Sequence, residues 1–305
     1  MERKIDIILL ACVSLLLVSC DKFSNGDVVE REYVLDKSFQ VIEMCDNVNV
    51  TLKHCDASHP AGFIHVKTGE NLIDLITTGI EEYVNEDDDA KFNKLVIRNE
   101  NTLDFLRPYD YTLEMTVYYD TIFTLIFNSN ATITTDTLKG YNYPSSFTTN
   151  DSIQYDSLVP NLFLEVTDGS GDFTVLLNCC KMRTKYINGT GTINLKGYAS
   201  GTIVIGDYNC HGIIDGIDLE SYWLTVNYSG TNTVIVKTFD ELHIYNHNIG
   251  RVFYKRYHKQ KKKIHYSHIG PDGHWIPADT IDTVYYCPLK LNAVGDNIMP
   301  YPFSD

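Results

Sequence analysis

Gly171-Asp172-Phe173-Thr174-Val175 returns as Gly191-Thr192-Ile193-Asn194-Leu195, then as Gly212-Ile213-Ile214, Gly230-Thr231-Asn232-Thr233-Val234 and Gly250-Arg251-Val252-Phe253. The leading glycines stand 20, 21, 18 and 20 residues apart. A turn glycine feeding a short alternating strand at a period near twenty is what a β-solenoid coil requires. Each coil must turn sharply and then stack its apolar residues on the coil before it. Gly201-Thr202-Ile203-Val204-Ile205 fits as a second strand within one coil, and Ala131-Thr132-Ile133 as an earlier member of the series. The alternative is an antiparallel β-sandwich, which also shows short strands with turn signals every 8 to 12 residues. The scarcity of two-residue hairpin turns in this stretch favours the solenoid.

Alternation of apolar and polar residues continues outside the repeat, in Val48-Asn49-Val50-Thr51-Leu52, Thr112-Leu113-Glu114-Met115-Thr116-Val117 and Thr233-Val234-Ile235-Val236. The chain therefore reads as all-β, a solenoid with N- and C-terminal capping strands. One helix is expected over Asn71–Ile80, with Asn71 as its cap and Leu72, Leu75, Ile76 and Ile80 as its apolar stripe. Residues 33–120 are placed to cover the first coil. At the other end, Ile281-Asp282-Thr283-Val284-Tyr285 and Leu289-Lys290-Leu291 complete a cap.

The first residues carry a different message. Glu2-Arg3-Lys4 precedes an apolar run from Ile7 to Val18, and Leu17-Val18-Ser19-Cys20 precedes the polar Asp21-Lys22. A positive head with an apolar span shorter than the roughly 20 residues of a bilayer core marks an export peptide. The Leu-x-Ser-Cys ending resembles a bacterial lipobox, which makes Cys20 the lipid anchor and the membrane a partner through that lipid. Residues 1–19 are then the signal peptide, residues 20–32 a lipidated tether, residues 33–255 the solenoid domain and residues 256–305 the C-terminal β cap.

The formal net charge is −15. Such a surface repels nucleic acid and anionic head groups, whereas acyl insertion gains about 0.8 kcal/mol per buried methylene regardless of the charge of the attached domain. Of the cysteines after Cys20 (Cys45, Cys55, Cys179, Cys180, Cys210 and Cys287), none forms a CxxC pair, and mostly free thiols are expected. Cys45 and Cys55, separated by the Asp46-Asn47 turn signal, are the one pair worth testing as a disulfide.

With Phe39-Gln40-Val41-Ile42, Asn47-Val48-Asn49-Val50-Thr51-Leu52, Ile64-His65-Val66, Glu70-Asn71-Leu72, Leu95-Val96-Ile97 and the Gly-x-Ile/Val repeats in view, the chain resembles the head GIN domain family of suspected autotransporter adhesins. The resemblance spans most of residues 36–255. It implies a right-handed parallel β-helix exported to the cell envelope, on the outer membrane of a Gram-negative bacterium, with no catalytic residues to carry over. The acidic stretch Glu81–Asp89 and the basic run after Arg251 depart from the family pattern.

Several groups invite a chemical reading. Glu86, Asp87, Asp88 and Asp89 offer oxygen ligands to calcium, without the order or glycine of an EF-hand. If they lie outward, Tyr222, Trp223, Tyr228 and Tyr245, with Tyr141 and Tyr143, supply aromatic faces suited to a glycan or a surface protein; the alternative is that they form aromatic ladders stacked between coils. Asp168 with Asp172, and Asp215 with Asp218, are carboxylate pairs at coil corners, of the kind that would serve a polysaccharide lyase or glycosidase. Asp at a turn more often bonds its own backbone. His243 and His247 share one face of a strand but stand about 13 Å apart, too far for one ion. The basic residues Lys255, Arg256, Lys259 and Lys261–Lys263 suit an acidic glycan or a lipid head group. No convergent acid, base and metal set emerges, so a non-catalytic adhesive or scaffold lipoprotein without a cofactor is the first reading, and a polysaccharide-active enzyme the second.

Overall fold

The computed structural model describes residues 24–86, 89–101, 113–145, 157–256, 264–265, 268–269, 275–276, 279–280 and 290–302. Among these there is no α-helix. The N-terminal strands are β1 (Val28–Val34), β2 (Val41–Asp46), β3 (Asn49–His54), β4 (Phe63–Gly69), β5 (Ile76–Val84), β6 (Lys91–Asn99), β7 (Leu113–Tyr119), β8 (Thr124–Ser129), β9 (Ile133–Thr135) and β10 (Tyr141–Ser145). Then come β11 (Ser157–Val166), β12 (Asp172–Gly189), β13 (Thr192–Cys210), β14 (Ile213–Tyr228), β15 (Thr233–Asn246) and β16 (Arg251–Arg256). The last are β17 (Ile264–His265), β18 (His268–Ile269), β19 (Trp275–Ile276), β20 (Asp279–Thr280), β21 (Lys290–Val294) and β22 (Ile298–Pro300).

Eighteen of these strands form one mixed sheet, arranged as two ladders with β10 added antiparallel on β11. The first ladder runs β1-β4-β7-β3-β9, then through the leading halves of β12 to β15, to β16 and β22. The second runs β5-β6-β2-β8-β11, then through the trailing halves of β12 to β15, to β21. Each long strand thus serves both ladders, with Gly201 opening the second half of its coil. From β3 and β2 onward the pairings within both ladders are parallel, which excludes an all-antiparallel sandwich.

Period-2 alternation decides which side chains face inward. Along β15, inward and outward positions alternate without a break. In the first ladder Phe173, Ile193, Ile214, Val234 and Val252 lie in register on successive rungs and are all buried. In the second, Leu162, Met182, Thr202, Leu224 and Leu242 do the same. Each large apolar member contributes about 1.5–3 kcal/mol by leaving water.

At the turns the rungs come too close for any side chain. A Cβ on Gly191 would stand 2.1 Å from the Gly171 carbonyl oxygen, and one on Gly212 would stand 2.2 Å from that of Gly191. The amides just beyond these glycines donate to the coil before, Thr192 to Gly171 at 3.2 Å and Ile213 to Gly191 at 3.1 Å. The period seen in the sequence is therefore a steric requirement of rung spacing.

Three expectations need correction. The helix over Asn71–Ile80 is a 3-10 turn at Ile73–Leu75 followed by strand β5, without a side-chain cap. Asn71 instead donates to the Ser24 carbonyl, and pairing of Thr77, Thr78 and Gly79 with Arg98, Ile97 and Val96 in turn overrides the helical spacing. Residues 33–120 do not simply cover the first coil, because β2 and β3 are intercalated in the ladders between β6 and β8 and between β7 and β9. Residues 20–32 are not a tether throughout, because Val28–Glu32 belong to β1 and pair with β4, Val28 opposite Gly69. At the C-terminus the strand expected at Leu289-Lys290-Leu291 is β21, which with β22 extends both ladders, while Ile281–Leu289 lies outside the described residues. Between β16 and β21, β17 pairs antiparallel with β20 and β18 with β19.

Replacing Gly191 by Ala is expected to cost about 3 kcal/mol in urea unfolding, because backbone rather than a movable side chain blocks the new methyl. Gly79→Ala, with nothing within 4 Å of its Cβ, is expected to raise stability by about 0.5 kcal/mol. Equal effects at the two sites would contradict the close approach of the rungs.

Candidate functional site

The acidic stretch is built into a hairpin. Glu81 and Glu82 lie on β5 and face cations across the strand pair, Glu81 with Arg98 at 3.1 Å and Lys94 at 3.5 Å, Glu82 with Lys91 at 3.0 Å. Glu86 and Asp89 belong to the turn, which is closed by Asn85 donating to Ala90 at 2.8 Å and Asp89 donating to Asn85 at 2.9 Å. Asp87 and Asp88 lie outside the described residues, as do Cys20 and Cys287. Among the described residues no three His, Cys, Asp or Glu side chains converge on a metal position.

The aromatic set divides. Tyr228 is a core residue rather than a surface ligand contact, fully buried with its ring laid over Gly206 and its hydroxyl accepting from the Asn232 amide at 3.2 Å. Burial raises its phenol pKa. Trp223 faces outward, half-buried, with its indole on Gly201. Tyr245 also faces outward and pairs with Asn227. Because Trp223 pairs with Glu241, four residues before Tyr245, the two rings share a face but stand about 14 Å apart. Tyr222 sits at the bend between half-coils. Tyr141 packs edge-on against Phe92 and Phe123, which are stacked at 4.6 Å.

The corner carboxylates do turn work. Asp168 accepts from the Asn188 side chain at 3.3 Å, Asp215 accepts from the Ile217 amide at 3.0 Å, and Asp218 lies 3.8 Å from Lys196. His243 bonds Glu241 at 2.7 Å, and His247 falls beyond the end of β15. Lys255 and Arg256 lie on β16, while residues 257–263 of the basic run lie outside the described residues.

What the sequence reading missed is the edge formed by the turns between one coil's second strand and the next coil's first, together with the strand ends beside them, where β13 bulges against β12 at Asp207-Tyr208 before ending at Cys210. Tyr208 is 68% exposed and Ile249 71%, the two most exposed large apolar side chains among the described residues. Exposed Asn209 and half-exposed Asp207 flank Tyr208. Beside them a hydrogen-bonded series runs from turn to turn. Ser170 donates to Asn130 at 2.8 Å, His211 bonds Thr231 at 2.7 Å, Asn232 donates to the His211 carbonyl at 2.8 Å and Asn248 to that of Ser229 at 2.8 Å. The signal was available, since Asp207-Tyr208-Asn209 falls between Gly206 and Gly212 in the longest interval of the repeat.

These features define an all-β repeat domain with an apolar interior and polar groups displayed on its turns and outer faces. The profile of the family described as "Putative auto-transporter adhesin, head GIN domain" matches residues 38–256, and the chain belongs to that family. Among solved structures, a "putative adhesin" of Bacteroides fragilis is 13% identical, with 91% of this chain and 99% of that chain covered and a TM-score of 0.57. A "putative adhesin" of Parabacteroides merdae is 16% identical over 91% and 98%, with a TM-score of 0.48. A "putative lipid binding protein" of Parabacteroides distasonis is 15% identical over 91% and 98%, also at 0.48. Against proteins with curated descriptions the chain finds no match.

Cys45 and Cys55 are both free, as are Cys179, Cys180 and Cys210. Burial, then the neighbouring Glu43 and Asp46, pushes the Cys45 thiol up to about 11, and burial pushes Cys210 to about 11. Since the thiolate is the reactive form, both are expected to react about a hundredfold more slowly than in urea-unfolded protein at pH 8, with rates climbing as pH rises. Mass-resolved alkylation checks this, and a Cys45–Cys55 disulfide would appear there as a pair that never labels.

Proposed function

We propose that this chain is a non-catalytic adhesion module of the cell envelope, whose ladders close into a right-handed parallel β-helix and whose turn edge binds a neutral glycan. The exposure of Tyr208 on that edge carries the reading. A phenol ring open on its face, flanked by Asp207 and Asn209, pairs the CH-rich face of a sugar with acceptors and donors for its hydroxyls. A charge of −15 disfavours acidic glycans and nucleic acid alike. The family's description as adhesins supports the reading. Acylation at Cys20 would hold the module on the outer membrane of a Gram-negative cell, with the folded part close to the lipid, since Asn71 donates to the Ser24 carbonyl and β1 begins at Val28. Trp223 and Tyr245 offer a second contact on the outer face, and Glu86 with Asp89 would be the calcium-sensitive element.

A glycan array probed with the chain, with calcium and then with chelator, tests this. Binding to one neutral glycan class, weakened at least tenfold by Tyr208→Ala and unaffected by Tyr228→Phe, is the expected outcome. Tyr208→Ala binding as the parent does would remove the turn edge from the mechanism.

A further inference from the structure

The chain is docked onto the fold before its first strand begins. Asn71 donates its side-chain amide to the Ser24 carbonyl at 3.0 Å and to the Ser24 hydroxyl at 3.3 Å, and its backbone amide to the Asn25 carbonyl at 3.2 Å. Glu70 donates to the Asp27 carbonyl at 2.8 Å. A Cβ on Gly69 would stand 1.9 Å from the Asn25 carbonyl oxygen, so the docked segment lies directly on the backbone. These contacts fall where the link from β4 to β5 crosses between the ladders and buries Leu72, Ile73 and Ile76 over the last rung. Ser24 is therefore fixed at the pole formed by β1 and β5.

Cys20 stands four residues before Ser24. Four residues span about 14 Å at most, whatever conformation they take. The head-group region of one leaflet takes up about 5–7 Å of that reach, so an acylated Cys20 holds the pole within about 10 Å of the head groups. We propose that the β1 and β5 pole is the membrane-facing surface of this protein, its partner the lipid surface that receives the acyl chains, and that the turn edge is presented away from that surface. The proposal rests on the anchored reading above and adds the orientation to it.

Charge makes the short leash, rather than adhesion to lipid, the element that sets this spacing. Glu70 and Asp74 are exposed at the pole, and its cations are paired within the chain, Arg31 with Asp74 and Lys67 with Glu30 at 3.6 Å. A charge of −15 opposes laying the flanks on anionic lipid. Tyr208, at the end of β13, is six strand spacings from β5 by way of β6, β2, β8, β11 and β12, about 29 Å at 4.8 Å per rung. The turn edge then meets ligands carried on another surface or polymer, not the head groups of its own membrane.

The test uses the full chain, produced in bacteria and reconstituted in phosphatidylcholine vesicles, with a photo-cross-linking residue replacing Asp74, Asn209 or Asp296 in turn. All three side chains are exposed, so the replacements leave the fold intact. We expect lipid capture at position 74 to exceed that at 209 and at 296 at least tenfold. About 20 Gly/Ser residues inserted between Cys20 and Asp21, a mean reach of about 25 Å, should bring position 74 down to the level of the other two. Equal capture at the three positions in the parent, or capture at 74 indifferent to the insert, would overturn the orientation. Cys20→Ala separates the two readings, since it should stay in solution while the parent sediments with the vesicles. A parent that also stays in solution would overturn the anchored reading and the orientation together. Tyr208→Ala leaves capture at position 74 unchanged, which keeps this result apart from the glycan reading.

Discussion

The close approach of one coil's carbonyl oxygen to the next coil's Cα at the turns is the constraint on which the rest depends. Parallel strands in register stand about 4.8 Å apart, and a turn that reverses direction within that spacing leaves no room for a methyl group. Glycine at positions 171, 191 and 212 meets the condition, with Ala131 beneath Gly171 as the first member of the stack. Once the turns stack, the residues after them fall into register, and the inward columns follow from alternation.

The same trade of volume recurs inside. Tyr228 lies over Gly206, Trp223 over Gly201, and Tyr186 reaches Gly212 while its hydroxyl donates to the Gly191 carbonyl at 2.9 Å. A large ring on one rung is matched by a missing side chain on the neighbour, which keeps packing near crystal density. At the bends of β13 to β15 the core carries hydroxyl groups that bond one another and the backbone. The Thr202 and Ser221 hydroxyls meet at 2.5 Å, and Thr238 donates to the Ser221 carbonyl at 3.1 Å. Where β14 bends, its pairing with β15 is interrupted around Ser221, and the Thr238 hydroxyl supplies a partner to the Ser221 and Tyr222 carbonyls there.

The repeat, its second strand per coil and its turn glycines were legible because they are local and recur. The interior place of Tyr228 was legible, since Leu224, Val226 and Tyr228 alternate on one face, and it agrees with the reading of these aromatics as rings stacked between coils. Leu72, Leu75, Ile76 and Ile80 satisfy a helical spacing and still become a turn and a strand, because Ile80 finds Leu95 across β6. The intercalation of β2 between β6 and β8 joins Val41 to both Lys94 and Thr124. Nothing local marks a pairing across more than eighty residues, so that part of the topology could not be read from period or propensity.

Function is hard to read from such a chain for a related reason. Stacking prescribes inward positions and turn glycines, so those are the ones a sequence pattern reveals. Outward positions and turn tips are bound only by solubility and by the edges. At the β1 and β5 pole, the edges are laced with charge, Arg31 with Asp74, Lys67 with Glu30 at 3.6 Å and Lys91 with Glu82 at 3.0 Å, which discourages strand addition there. At the other pole the edge strand carries a single lysine among Leu291, Asn292, Ala293 and Val294. A fold shared at 13% identity with the Bacteroides fragilis protein can hold its frame while its displayed residues diverge. What distinguishes one member from another must then lie where stacking imposes nothing, as at the bulge that holds Tyr208.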